Sequence, residues 1–397
     1  MPEIRRRHVL YIPGYDPFPP RRYRELYRRE SAAQAAISGY TIAQEKGRPA
    51  FGWTVAARIE GAEVHSDVEV LVWSDIVSES MSGSIPATYA QLVRTLWIYL
   101  RSGALFRLMR LRKGPVIAAF YPTVLLIAQL AAALALVVLG AWLGSGMVVL
   151  GWLFGGALGA VAGWGLLLWF RARDNRLFAY YLMHDFAFTA RGRGAYAVEL
   201  EARLASFGGR IAKAASGGAD EVLVVGHSTG AHMAVSALAD LIRDGRLPPG
   251  RVSLLTLGHV VPMVSFLPEA GRLRSDLHLM GGQDDVFWLD VTAPGDGCAF
   301  ALCDPVAVSG VAPARQTGPL VLSAAFTQTL SPGRWRALRH RFFRLHFQYL
   351  CAFDRPGAYD YFRITAGPKT LAERFAGLRA SPSRLTEPVN RHTDRTA

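Results

Sequence analysis

The 397-residue chain is about half apolar, carries a formal net charge of +13 and contains three cysteines. An odd cysteine count without a CxxC pair argues against a disulfide framework or a zinc site and suits a reducing compartment. The charge is almost all arginine, gathered at Arg5 to Arg7, Arg21 to Arg29, Arg101 to Lys113, Arg171 to Arg176 and Arg334 to Arg344. No nucleic-acid recognition motif accompanies these clusters, and their distribution suits anionic lipid head groups instead.

In chain order, the start "MPEIRRRHVLYIPGYD" has only a four-residue apolar run before Pro13, short of a signal-peptide core, so a cytoplasmic start is expected. "HVLYIPGY" reads as a buried strand stopped by a turn, and Arg21 to Ile37 as a helix. "FGWTVAARIE" and "VEVLVWSD" are β-branched and aromatic, as strands are. Pro86 can open a helix, which Tyr89 to Arg112 continue as one arginine-studded amphipathic segment.

From Gly114 to Phe170 there is no Asp, Glu, Lys, Arg or His, a stretch long enough for two membrane crossings. With little more than Ser145 and Gly146 between them, the two spans must form an antiparallel hairpin. Gly151, Gly155, Gly159 and Gly163 recur every four residues and make a smooth stripe on the second span. Its expected partner is the first span around Ala128, Ala132 and Ala135, with a dimer contact through the same stripe as the alternative. Basic residues flank the hairpin on both sides and the connecting loop has none. The positive-inside rule therefore puts both soluble parts in the cytoplasm, at a bacterial-type inner membrane.

Beyond the hairpin, Asp174 to Phe188 and Tyr196 to Ala215 read as helices. "EVLVVG" is a buried strand with a helix from Thr229 to about Arg243 behind it. "RVSLLTLGHVV", "DVFWLDVTAP" and "PLVLSAAF" are further strands, and the tail after Ser381 has a disordered composition. Apolar strands alternating with helices imply an α/β fold with a mostly parallel sheet covered on both faces. The expected division is 1–113 and 171–380 as two parts of one domain, 114–170 as the hairpin and 381–397 as the tail.

Gly226-His227-Ser228-Thr229-Gly230 satisfies G-x-S-x-G directly between a strand and a helix, the setting of a nucleophile elbow. The serine of such a turn is strained, side chains at the glycine positions would collide with neighbouring backbone, and the helix N-terminus favours developing negative charge. On this motif, most of the soluble chain resembles the α/β-hydrolase family. "YIPGYDP" is similar to that family's oxyanion loop, which implies the N–H groups of Tyr15 and Thr229 as donors. The family order of Ser, acid, His implies Asp296 in "APGDG" as the acid, with Asp304 as its main competitor and Asp290, Asp284 and Asp285 behind. It implies His346 in "RLHFQYL" as the base. His340, among arginines, is the alternative; His392 lies in the tail, and His259 precedes the acid. About twenty residues separate the last strand from His346, longer than is usual in the family.

There is no Walker A loop, no HExxH and no His followed four residues later by Asp, and no metal or other cofactor is implied. The expected activity is that of a membrane-anchored serine hydrolase, lipase- or esterase-like, acting on a lipid or other hydrophobic ester. An alcohol or amine acceptor instead of water would make an acyltransferase, and a hydrolase-like membrane scaffold without catalysis is the reading of a different class.

Overall fold

A computed structural model describes residues 4–46, 51–81, 83–146 and 150–396. Eight strands form one sheet: β1 (Arg6–Ile12), β2 (Thr41–Lys46), β3 (Gly52–Ile59), β4 (Ala62–Val70), β5 (Glu221–His227), β6 (Val252–Leu257), β7 (Val286–Thr292) and β8 (Leu320–Ser323). Their order is β2-β3-β4-β1-β5-β6-β7-β8. All neighbours from β4 to β8 pair in parallel, whereas β3 runs antiparallel to both β2 and β4. The longer helices are α1 (Arg21–Ser38), α2 (Ile85–Arg101), α3 (Ala104–Leu111), α4 (Lys113–Ser145), α5 (Gly151–Ala172), α6 (Ala179–Ala190), α7 (Val198–Ala215), α8 (Gly230–Arg243) and α9 (Gly271–Gly282).

The period-two alternation of the strands builds two cores. Leu10, Ile12, Val222, Val224 and Leu254 face α7, α8 and α9. Val9, Tyr11, Leu223, Val225 and Leu255 face the opposite layer, made by α1 and the C-terminal segments around Tyr349 and Phe362. Because β1, from before the hairpin, lies between β4 and β5, the pieces on either side of the insertion share one sheet.

Helices α4 and α5 are long and apolar enough to cross a membrane, at about 50 and 33 Å by the helical rise. A core helix of a soluble protein would be mostly buried, yet only 17% of each apolar window is. Trp142, Phe154, Leu158 and Val161 point outward. The glycine stripe does let the helices close up, but against a different face from the expected one. A Cβ on Gly155 would strike Gly140, one on Gly159 would strike Leu136 and Val137, and one on Gly163 would meet Ala133 at 2.7 Å. Ala128, Ala132 and Ala135 are exposed instead. The partner face is set by which residues allow backbone contact at every turn, and Gly140 and Gly144 outrank alanine there.

Four further expectations are corrected. The segment from Tyr89 to Arg112 is not one helix: Gly103 at φ 71° breaks it between α2 and α3. Phe178, at φ 56°, likewise separates α6 from a short turn of helix at Asp174–Leu177. Arg7 is no lipid contact, since it is buried against Glu221 at 2.8 Å and donates to the carbonyls of Gly367 and Lys369. The tail is ordered: Leu385 bonds Leu302, Asn390 donates to the Ser265 and Ser309 carbonyls, and Asp394 pairs with buried Arg274 at 2.8 Å. Polar side chains that would suit a solvated tail here satisfy buried carbonyls and a buried guanidinium.

Candidate active site

Every residue of β5 is buried, and Ser228 is the first partly exposed residue after it. Ser228 has φ 56°, a left-handed conformation that costs about 1–3 kcal/mol in a non-glycine residue. Its N–H donates to Leu257 and its carbonyl accepts from Ala231, so the turn is held at both ends. A Cβ on Gly226 would lie 2.6 Å from the Gly230 oxygen, and one on Gly230 would overlap the carbonyls of Ile12 and Pro13. Both motif glycines are therefore sterically required.

The β1 loop closes over the serine. A Cβ on Gly14 would come within 2.9 Å of Ser228 Cβ. Trp73 Nε1 holds the Pro13 carbonyl at 2.9 Å, and the Tyr181 hydroxyl donates to the Tyr15 carbonyl. Among the described residues, no backbone or side-chain acceptor takes up the N–H of Tyr15 or of Thr229. These two donors flank Ser228 in the chain and across the loop.

Asp296 and His346 meet, 50 residues apart in sequence. His346 Nδ1 donates to Asp296 Oδ2 at 2.7 Å, the Tyr349 hydroxyl donates to the same oxygen at 3.0 Å, and the Cys298 N–H donates to Oδ1 at 2.9 Å. Both Asp296 and His346 are buried. A buried carboxylate needs such donors, because an uncompensated charge there is costly. His346 Nε2 is left without a partner among the described residues, so it is not hydrogen-bonded to Ser228 in this arrangement. Such bonds commonly tighten only when substrate is bound. Close approach is secured by Gly258, at φ 52°, whose Cβ would lie 2.7 Å from the Tyr349 ring and 3.1 Å from His346 Cε1.

His227 and Tyr349 are the parts that sequence reasoning passed over. His227 Nε2 donates to the His346 carbonyl at 3.0 Å, and the two rings lie 4.7 Å apart. Burial, reinforced by the charge on His346, pushes the His227 pKa down to about 3 and keeps it neutral. It thus anchors the His346 backbone as a neutral ring. Tyr349 accepts from the Ala293 N–H while donating to Asp296, and burial next to that carboxylate raises its hydroxyl pKa. Tyr349 stands one helical turn after His346 in sequence, and that spacing was the available signal.

The other candidates are elsewhere. Asp304 caps the short helix Pro305–Val308 through the N–H groups of Val306 and Ala307 and accepts from Gln316. His340 is exposed. His259 is fully buried, with Nε2 on the Cys303 carbonyl at 3.0 Å, and Asp290 bonds Thr256 at 2.6 Å inside the sheet. Asp284 pairs with Arg315 on the surface.

Donor atoms of Asp296, Cys298 and His346 lie within 4.8 Å of one another, close enough for a shared metal ion. The imidazole proton already bridges the first and third. Burial, with the charges of Asp296 and Asp185, raises the Cys298 pKa, away from the thiolate that binds metals. The trio fits a proton network better than a cation site.

No family model, curated protein or solved structure matches the chain.

Proposed function

We propose that this protein is a serine hydrolase of α/β-hydrolase type that cleaves an ester of a lipid or another hydrophobic molecule at a membrane surface. The observation that carries the reading is the buried Asp296–His346 pair, with its outer nitrogen unpartnered, beside a serine held on a left-handed strand-to-helix turn. An ordinary turn serine has no need of strain, two steric glycines and a carboxylate-anchored imidazole in one place.

In the proposed reaction, Ser228 Oγ bonds to the ester carbonyl carbon as its proton passes to His346 Nε2. The carbonyl electron pair moves onto oxygen, where the N–H groups of Tyr15 and Thr229 and the N-terminus of α8 stabilise the charge. Asp296 holds the imidazole with its proton on Nδ1 and stabilises the cation. The bond to the leaving alcohol breaks as His346 returns the proton to that oxygen, and water repeats the sequence to release the acid.

The membrane setting is supported by where the hairpin is rooted. The start of α4 packs Gly114 against Gly297, next to Asp296, and Arg112 donates to Ala301 at 2.7 Å. Exposed Trp97, Phe106 and Met109 on α2 and α3 lie among Arg101, Arg107 and Arg110, and Arg173 stacks on Trp169 at 4.0 Å where α5 ends. Aromatic and basic residues so combined suit the interface of a membrane with anionic lipids, and the uncharged hairpin loop favours a cytoplasmic orientation for the sheet.

The test is labelling of the detergent-solubilised protein with a fluorophosphonate probe. Label on the wild type that is lost in both Ser228→Ala and His346→Ala is expected. Label that persists in Ser228→Ala, or absence of label from the wild type, would favour a non-catalytic scaffold.

A further inference from the structure

The two apolar helices are unequal: α4 has 33 residues and α5 has 22. Their close contacts set Gly144 against Gly151, Gly140 against Gly155 and Ala133 against Gly163, so the surplus lies at the start of α4. By the helical rise, α4 runs on for about 15 Å past the end of α5. There α5 finishes with Arg171, and Arg173 stacks on Trp169 at 4.0 Å, as at the edge of a hydrocarbon layer. The first part of α4 therefore continues beyond that edge, through the level of the lipid head groups.

An apolar cavity of about 470 Å³, part of it open to the outside, lies along this projecting part. Val116, Phe120 and Thr123 of α4 line it together with Tyr99 of α2, Leu108 of α3 and Phe186 of α6. From Val116 to Thr123 it follows α4 for about 10 Å. The Tyr99 hydroxyl donates to the Met263 carbonyl at 2.9 Å, and an apolar space of this kind does not hold ordered water. Its size is that of a ligand pocket. On the outer face of the same turns Ile117, Tyr121 and Val124 are exposed, so apolar surface continues from the span to the cavity.

Charge is gathered at the end of the cavity away from α5. The Tyr89 hydroxyl donates to the Leu126 carbonyl at 3.0 Å, while Tyr99 shares the cavity with Val116, so α2 runs antiparallel to α4 and ends beside its start. From Ile85 to Lys113 the chain has Arg94, Arg101, Arg107, Arg110, Arg112 and Lys113 and no Asp or Glu. Arg107 and Arg112 are held by the carbonyls of Val389 and Ala301. Arg101, Arg110 and Lys113 are exposed and make no ion pair among the described residues. Lys113 stands three residues before Val116, on the same face of α4. An apolar space continuous with hydrocarbon, with uncompensated cations at its far end, selects an amphiphile with a negative head group.

We propose that this cavity binds one anionic phospholipid raised from the adjoining leaflet, with its phosphate at Arg101, Arg110 and Lys113 and one acyl chain running through the cavity back to the bilayer. The inference rests on the hairpin spanning a membrane and is independent of Ser228 as a nucleophile.

The experiment is native mass spectrometry of the full chain in detergent, titrated with dioleoyl phosphatidylglycerol or with dioleoyl phosphatidylcholine. One phosphatidylglycerol per chain is expected to bind at least about tenfold more tightly than phosphatidylcholine. Arg110→Gln with Lys113→Gln should bring the two lipids to similar affinity. Ala119→Phe puts a ring into the cavity and should abolish the one-lipid complex, whereas Ile117→Phe, on the outer face, should retain it. Should Ala119→Phe not fold, the exposed Arg110 and Lys113 pair still decides the matter. Equal affinity of the wild type for both lipids, no saturable one-lipid complex, a preference that survives removal of both cations, or equal loss in Ile117→Phe overturns the proposal. Resistance of the chain to alkaline extraction from membranes reports separately on the hairpin, and fluorophosphonate labelling on Ser228, so failure of either reading is distinguishable from failure of this one.

Discussion

Two buried aspartate–histidine pairs stand near the carboxyl ends of neighbouring strands, and only one of them resembles a proton-transfer device. In the pair Asp296–His346 the atoms are 2.7 Å apart, the carboxylate accepts three donors, and the outer imidazole nitrogen is open. In the pair Asp290–His259 the separation is 3.6 Å. There the imidazole Nε2 is taken by the Cys303 carbonyl, while His259 Nδ1 and one Asp290 oxygen have no partner among the described residues. Both histidines are buried, so burial does not tell the pairs apart. What differs is whether the carboxylate is fully satisfied by donors and whether the outer imidazole nitrogen is left without a partner among the described residues or is taken by a backbone carbonyl. The first arrangement can accept a proton and hold the resulting cation; the second spends its nitrogen on structure.

The largest expected effect is on the pair proposed to react, Ser228 and His346. Ser228→Ala or His346→Ala should lower ester hydrolysis by about 10⁴-fold or more, read by initial rates, and His259→Gln should leave the rate within a few-fold of wild type. A comparable loss in His259→Gln would break the distinction. Next comes the support of the acid. Tyr349→Phe removes one donor from Asp296 and leaves the Ala293 N–H unpaired, for an expected loss of about 1–3 kcal/mol in unfolding free energy and about tenfold in kcat.

The other pair should show itself in stability instead. Burial raises the Asp290 pKa from 3.8 to about 6, against the pull of His259. A carboxyl raised on folding contributes stability that is complete below its unfolded value and is lost as pH rises through its folded value. Wild-type stability should therefore fall by up to about 3 kcal/mol between roughly pH 4 and 6 from this group, and Asp290→Asn should flatten that fall in denaturant titrations. A fall of the same size in the variant would assign the pH dependence to other groups. The smallest effect is expected at the competing acid: Asp304→Asn keeps most of a helix cap and should cost about 1 kcal/mol or less, with labelling of Ser228 unchanged.

Much of the site was legible along the chain because its parts obey local rules. A serine between two glycines after a buried strand is a steric statement, and the positive φ of Ser228 with the blocked Cβ positions at Gly226 and Gly230 is its three-dimensional counterpart. Asp296 and His346 were reached through the order in which a resembling family places its acid and base, and the structure brings them together where Asp304 and His340 stay apart. The strand β2 escaped notice because "TIAQEK" is half polar, as befits an edge strand paired on one side only. The break at Gly103 was hidden inside an unbroken amphipathic pattern.

Periodicity and composition along the chain determined that there is a mostly parallel sheet, that two helices are apolar enough for a membrane, and that a strained serine follows a central strand. Those properties depend on each residue and its near neighbours. Tertiary structure alone decided that His227 anchors His346, that Tyr349 shares Asp296, that Arg7 and Asp394 are internal partners, and that Gly140 and Gly144 receive the glycine stripe. Each of these joins segments that the chain keeps far apart, and their contact depends on how the layers pack, which no local pattern encodes.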